Sequence, residues 1–282
     1  MSSELPAFSW PTDPSLQPAI APVPTERITP EWAWGGSTGL GMKVCIVDSG
    51  VDGDHRAIGG MLRGGAVVEE TDDGVEVTEG THSDLFGHGT ACAGIIHSIA
   101  PDAEIYSARV LGKNLKGYGS TFVAGLQWAL DNGMNVINVS MSTSKQDFAG
   151  ILREVADQAY FSNRIIVAAA NNTAVYSYPW LFSSVISVAC HAEPDPFTFY
   201  YNPDPPVEFT APGVDVDMAW AGGKRATGTG NSFAAPHIAG IIALILAKHP
   251  TLTPFQIKSV MYYTAKNVRT ELAAAEEEKR DE

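Results

Sequence analysis

A chain of 282 residues fits one α/β domain or two small ones. Apolar residues make up 45% of it and charged residues 18%, which supplies a sizeable core and excludes global disorder. The formal net charge of −14 gives an acidic surface that opposes nucleic acid and anionic membranes as partners.

The three cysteines, Cys45, Cys92 and Cys190, are scattered in apolar contexts and show no metal-ligand spacing. They suggest reduced thiols in a cytoplasmic protein rather than a disulfide framework. Met1-Ser-Ser-Glu-Leu-Pro6 lacks the basic region and apolar core of a secretory signal, which gives the same expectation. No apolar run approaches bilayer length, and Ile238 to Ala247 is expected in a core helix.

Residues 1–27 are rich in proline and read as an extended arm. The domain is expected over 28–270, followed by a charged tail over 271–282. Trp32 and Trp34 sit in a short helical or turn segment. Met42 to Val47 is a short apolar run between glycines, as in a buried parallel strand, and it ends at Asp48. A carboxylate there lies where open α/β sheets place ligands, although it also suits an Asp capping the next turn. Residues 52–84 hold Asp52, Asp54, Asp72, Asp73 and Asp84 without EF-hand spacing and read as a solvated acidic surface, with a short strand at 66–68.

Glycines flank His88, which opens an apolar helix running toward Ile99. The chain then alternates: strand 104–110, helix 120–132, strand 135–139, helix 148–161, strand 164–169 and strand 184–189. This rhythm predicts a doubly wound α/β fold, with a mainly parallel sheet covered by helices on both faces in three layers. Near the end, Gly228-Thr-Gly-Asn-Ser-Phe-Ala-Ala-Pro-His-Ile-Ala-Gly240 reads as a tight turn feeding a buried helix, with Ser232 at the junction. A helix N-terminus favours developing negative charge at a serine oxygen, and equally Ser232 suits a plain cap.

The Ser232 stretch resembles the active-site serine segment of the subtilisin-like serine proteases, with Asn231 where that family usually has Thr. Asp48-Ser-Gly-Val51 and Asp84-Leu-Phe-Gly-His-Gly-Thr90 resemble its aspartate and histidine segments, and Val167-Ala-Ala-Ala-Asn171 its oxyanion segment. Together with Phe209-Thr-Ala-Pro-Gly213, the likeness spans roughly residues 28–265. It implies a serine endopeptidase with catalytic Asp48, His88 and Ser232, and with Asn171 as oxyanion donor; read alone, Asn171 also suits a strand-end turn. The resemblance places substrate along Ser140, Met141 and Ser142, where both family glycines are replaced, so a narrower pocket is expected.

It implies a peptide or protein substrate, no cofactor and no metal, because the chain runs from Ile99 straight into Ala100-Pro-Asp102 where many secreted relatives insert a calcium loop. A peptide-processing protease or transpeptidase (macrocyclase) of the same fold and a non-catalytic peptide-binding pseudoprotease remain alternatives. Cys92 matches a free cysteine of one family branch, which predicts inhibition by small mercurials. The proline-rich arm is expected either to restrain the enzyme by lying in its own cleft or to serve as a tail or a strap packed on the far side of the domain.

Overall fold

A computed structural model describes residues 28–268; the arm over 1–27 and the tail over 271–282 lie outside the described residues. In chain order the elements are α1 (Pro30–Trp34), β1 (Lys43–Asp48), β2 (Leu62–Thr71), β3 (Gly74–Glu79), α2 (His88–Ile99), β4 (Glu104–Arg109), α3 (Gly119–Asp131), β5 (Val136–Val139), α4 (Ala149–Phe161), β6 (Ile165–Ala169), β7 (Ile186–His191), β8 (Tyr200–Tyr201), β9 (Phe209–Pro212), β10 (Val216–Trp220), β11 (Lys224–Gly228), α5 (Asn231–Lys248) and α6 (Pro254–Thr264).

Among the described residues, nine strands form one sheet in the order β3-β2-β4-β1-β5-β6-β7-β9-β8. The pairs from β2 through β9 are parallel, and only the outer pairs β2–β3 and β8–β9 are antiparallel. The predicted fold class is therefore the observed one. Successive side chains of a strand point to opposite faces. In β1, Val44 and Ile46 enter a core with Ile96 of α2, Ile242 of α5 and Val260 of α6. Cys45 and Val47 enter the opposite core with Phe122 of α3 and Leu152 of α4. That alternation, buried on both sides, is why β1 reads as a continuous apolar run.

α5 is the axis of the first core, with every residue from Phe233 to Leu246 buried. It is long and apolar enough to cross a membrane, but 83% of it is buried inside the domain. The sequence expectation of a helix too short for a bilayer therefore needs correcting in length, while its core position holds.

Several elements escape the sequence reading for physical reasons. β3 is exposed at all six residues, so no buried face imprints a period on it. The β10–β11 hairpin is antiparallel and half-exposed, and the short β8–β9 pair closes the far edge of the main sheet. α6 carries a capping box, in which Thr253 accepts from the Gln256 N–H and the Gln256 side chain accepts from the Thr253 N–H, with Pro254 just inside.

α2 and α5 approach closely at Gly240, where an added Cβ would lie 3.0 Å from Ile99 Cβ and 3.1 Å from its Cγ2. Gly240→Val is expected to lower stability by about 1–3 kcal/mol through overpacking. Urea unfolding followed by tryptophan fluorescence measures this, and an unchanged midpoint would contradict the packing argument.

Candidate active site

Strand register brings the ends of three strands level. Val47 of β1 pairs with Val139 of β5, and Val139 with Ala168 of β6. The residues that follow, Asp48, Ser140 and the stretch to Asn171, therefore meet at the carboxyl edge of the sheet, next to β1, on whose two sides lie β4 and β5. Open α/β sheets hold ligands at such a place.

Asp48 is fully buried. Its carboxylate accepts from Ser49 N–H at 2.7 Å and faces His88 Nδ1 at 2.9 and 2.8 Å through its two oxygens. His88 is the first residue of α2, so its position depends on how that helix starts. Gly87 has φ 121°, and a Cβ on it would lie 2.3 Å from the Trp220 indole. A Cβ on Gly89 would lie 2.0 Å from Gly50 O. The two flanking glycines are thus required by a left-handed turn and by close backbone approach.

Asp84 fastens this start. Its Oδ1 accepts from Ser49 Oγ and from the N–H groups of Phe86 and Gly87, and its Oδ2 accepts from the Thr90 N–H and hydroxyl, at 2.6–2.9 Å. Gly89 N–H in turn donates to Ser49 Oγ at 3.2 Å. Asp84 thus leaves the acidic surface assigned to it by the sequence and becomes the cap of the histidine helix. The only local signal is a carboxylate three residues ahead of the glycine that precedes α2.

Ser232 lies in the first turn of α5. Its backbone N–H has no acceptor among the described residues, as expected of an early helix position. Pro236 lacks the N–H that would bond Ser232 O. Ser140 Oγ takes its place, donating to Ser232 O at 2.9 Å while accepting from Asn138 Nδ2 at 3.0 Å. The Ser140 side chain, predicted to touch substrate, is therefore occupied within the protein. The residue at the replaced Thr position is occupied as well. Asn231 Nδ2 donates to Ala170 O and Asn171 O, its Oδ1 accepts from Cys190 N–H, and its N–H donates to Asn172 Oδ1. That side chain ties the start of α5 to the ends of β6 and β7, which sequence matching registers only as a departure.

A cavity of about 180 Å³ is lined by Ser140, Met141 and Ser142 on one side, by Ala169, Ala170, Asn171 and Asn172 on the other, and by Ser232. It exceeds an engineered ~150 Å³ cavity that admits benzene, so the glycine replacements do not close it. Asn171 Oδ1 accepts from the Thr173 N–H and hydroxyl, which fixes the amide orientation. One Nδ2 proton goes to Ser177 Oγ at 3.3 Å, leaving the second. Beyond Ser142, Thr143 pairs its backbone with Tyr178 and ends the free edge. The His88 ring lies 5.4 Å from the Phe233 ring, beside Ser232, and no hydrogen bond joins His88 to Ser232 among the described residues.

Cys92, one turn beyond His88, is buried with Sγ 3.4 Å from Ser140 Oγ and 3.6 Å from Ser232 O. Burial, then the Asp48 charge, push its thiol well above the ordinary range. Its Sγ, the Asp48 carboxylate and His88 Nδ1 lie within 4.8 Å of one another, yet the raised thiol pKa keeps Sγ protonated and His88 Nδ1 is engaged with the Asp48 carboxylate. For His88, burial alone would depress the imidazole; the Asp48 charge, its hydrogen bond and the Asp84 charge outweigh burial and hold the pKa above the ordinary 6.5. Asp84→Asn is expected to move the His88 titration to lower pH, read from its ring Cε1–H signal by NMR. An unmoved midpoint would reduce Asp84 to a helix cap alone.

Residues 39–279 match the subtilase family. The chain is 33% identical to subtilisin E of Bacillus subtilis (strain 168), covering 82% of this chain and 62% of that protein. It is also 33% identical to a subtilisin of Bacillus pumilus, covering 82% of this chain and 86% of the relative. The crystal structure of a cold adapted subtilisin-like serine proteinase superposes with a TM-score of 0.65 at 26% identity, over 79% of this chain and 82% of the other. The aspartate, histidine and serine segments thus stand at one sheet edge on the expected α/β frame, and the chain belongs to the subtilase family.

Proposed function

We propose that the protein is a serine endopeptidase that cleaves peptide bonds through an acyl-enzyme. The observation that carries this reading is the buried Asp48 carboxylate set 2.8 Å from His88 Nδ1, on a helix start adjoining Ser232. Asp48 keeps a proton on Nδ1, which leaves Nε2 as the base. Nε2 takes the Ser232 hydroxyl proton as Oγ attacks the scissile carbonyl. The oxyanion is met by the unpaired Ser232 N–H and by the spare Asn171 Nδ2 proton. The imidazolium then returns its proton to the leaving amine, and water repeats the cycle on the acyl-enzyme. The neutral imidazole is the working base, so activity falls as pH drops through the raised His88 pKa. Substrates are peptides or proteins, and the free thiols support a reducing, cytoplasmic setting.

A fluorophosphonate probe should label the wild type and fail on Ser232→Ala. Asn171→Ala should lower kcat by roughly 10²–10³-fold, as one oxyanion donor is worth. Near-normal turnover in that variant would displace Asn171 from the role.

The same reading includes restraint by the arm. α1 is held at the C-terminal end of α5, with Lys248 Nζ donating to Glu31 O and Gly35 O and Trp32 stacked on His249. Ser232 lies 16 residues back along α5, roughly 24 Å at helical rise. About eight extended residues span that length, fewer than the 27 that precede Ile28. Full-length protein is expected to show a lag in peptide hydrolysis that a form starting near Thr25 lacks. Equal rates from time zero would remove the arm as a restraint.

A further inference from the structure

The cavity beside Ser232 has a polar wall whose proton directions are fixed by groups behind it. Trp180 Nε1–H only donates, and it donates to Ser177 Oγ at 2.9 Å. Asn171 Nδ2 donates to the same oxygen, its orientation already set by the Thr173 backbone. Ser177 Oγ thus accepts two bonds, and its single proton passes to Ser142 Oγ at 2.8 Å. Ser177 is fully buried, so water offers no alternative partner. Ser142 is the acceptor in that bond. Its own hydroxyl proton has no acceptor among the described residues, and Ser142 lines the cavity.

A cavity that opens at the nucleophile receives the side chain of the residue whose carbonyl is attacked. None of its lining residues is charged, so Lys or Arg would enter without a counter-charge. The same uncharged lining offers Asp or Glu no counter-charge either. The volume of about 180 Å³ leaves room for a side chain of glutamine length. We propose that this wall makes the enzyme selective for an uncharged, hydrogen-bond-accepting side chain on the acyl side of the scissile bond, a carboxamide such as glutamine, with Ser142 as the donor and Ser177 as its positioning residue. This rests on the endopeptidase reading and names its substrate class.

The test uses internally quenched peptides that differ only at the acyl-side residue, with Gln, Met, Lys or Glu on the full-length protein. Gln and Met have similar length, so their ratio isolates the acceptor. kcat/KM for Gln is expected to exceed that for Met by roughly 3–10-fold, the worth of one hydrogen bond. Lys and Glu fall below both. Ser142→Ala should bring the Gln/Met ratio to about one, and Ser142→Thr, which keeps the hydroxyl, should retain the preference. Each is a ratio within one enzyme, insensitive to a general loss of folded protein. Met cleaved as well as Gln by the wild type, or a ratio untouched in Ser142→Ala, overturns the proposal. If the fluorophosphonate probe still labels Ser232 in that case, the endopeptidase reading stands without the selectivity. Absence of both labelling and cleavage overturns the two together.

Discussion

A fully buried carboxylate must be answered by donors, and the structure is arranged around answering Asp48. Leaving a buried charge uncompensated costs several kcal/mol. Two donors meet it: the next residue's N–H and the imidazole of His88. The second comes from a distant point in the chain, so α2 must begin at one place and in one orientation. That demand explains the glycines on either side of His88, the Trp220 ring against Gly87 and the five bonds received by Asp84. The same charge raises the basicity of the imidazole that bonds it.

The second half of the site is organised by a missing donor. Pro236 frees Ser232 O, and Ser140 reaches across from the end of β5 to bond it. Asn231 makes the corresponding tie to β6 and β7. Ser232 is therefore fixed on two sides by side chains at the sheet edge, while its own N–H stays unpaired. Rigid strands set the positions, and the loops that follow them supply the groups lining the cavity.

Much of this was legible in the sequence because it rests on local signals. The apolar run of β1, the helix period of α3 and α4 and the glycine-flanked His88 each leave a pattern that burial imposes. The segments holding Asp48, His88, Asn171 and Ser232 resemble their family counterparts closely enough to be matched in order. What stayed hidden depends on contacts between distant segments. Asp84 looks like any of its acidic neighbours until Ser49 and Thr90 are folded onto it. Ser177 and Trp180 lie in a loop with no period, and their joint effect on Ser142 exists only once Thr143 and Tyr178 pair. Ser140 carries a matched position but spends its hydroxyl inside the protein.

The central place of α5 has a consequence for biosynthesis. Ser37 Oγ bonds Leu244 O across 207 residues, and Lys248 bonds Glu31 O across 217. The first core therefore closes only when the last fifth of the domain has left the ribosome, since chains emerge N-terminus first. Contacts of such sequence separation carry a loop-closure cost and slow folding. Ser232 sits on the very helix that completes this core, so this residue and the stability of the domain arrive in one event. Nascent chains that hold Asp48 and His88 but lack α5 also lack Ser232. The order of synthesis thereby completes the Ser232 side of the site last, together with the core that holds it.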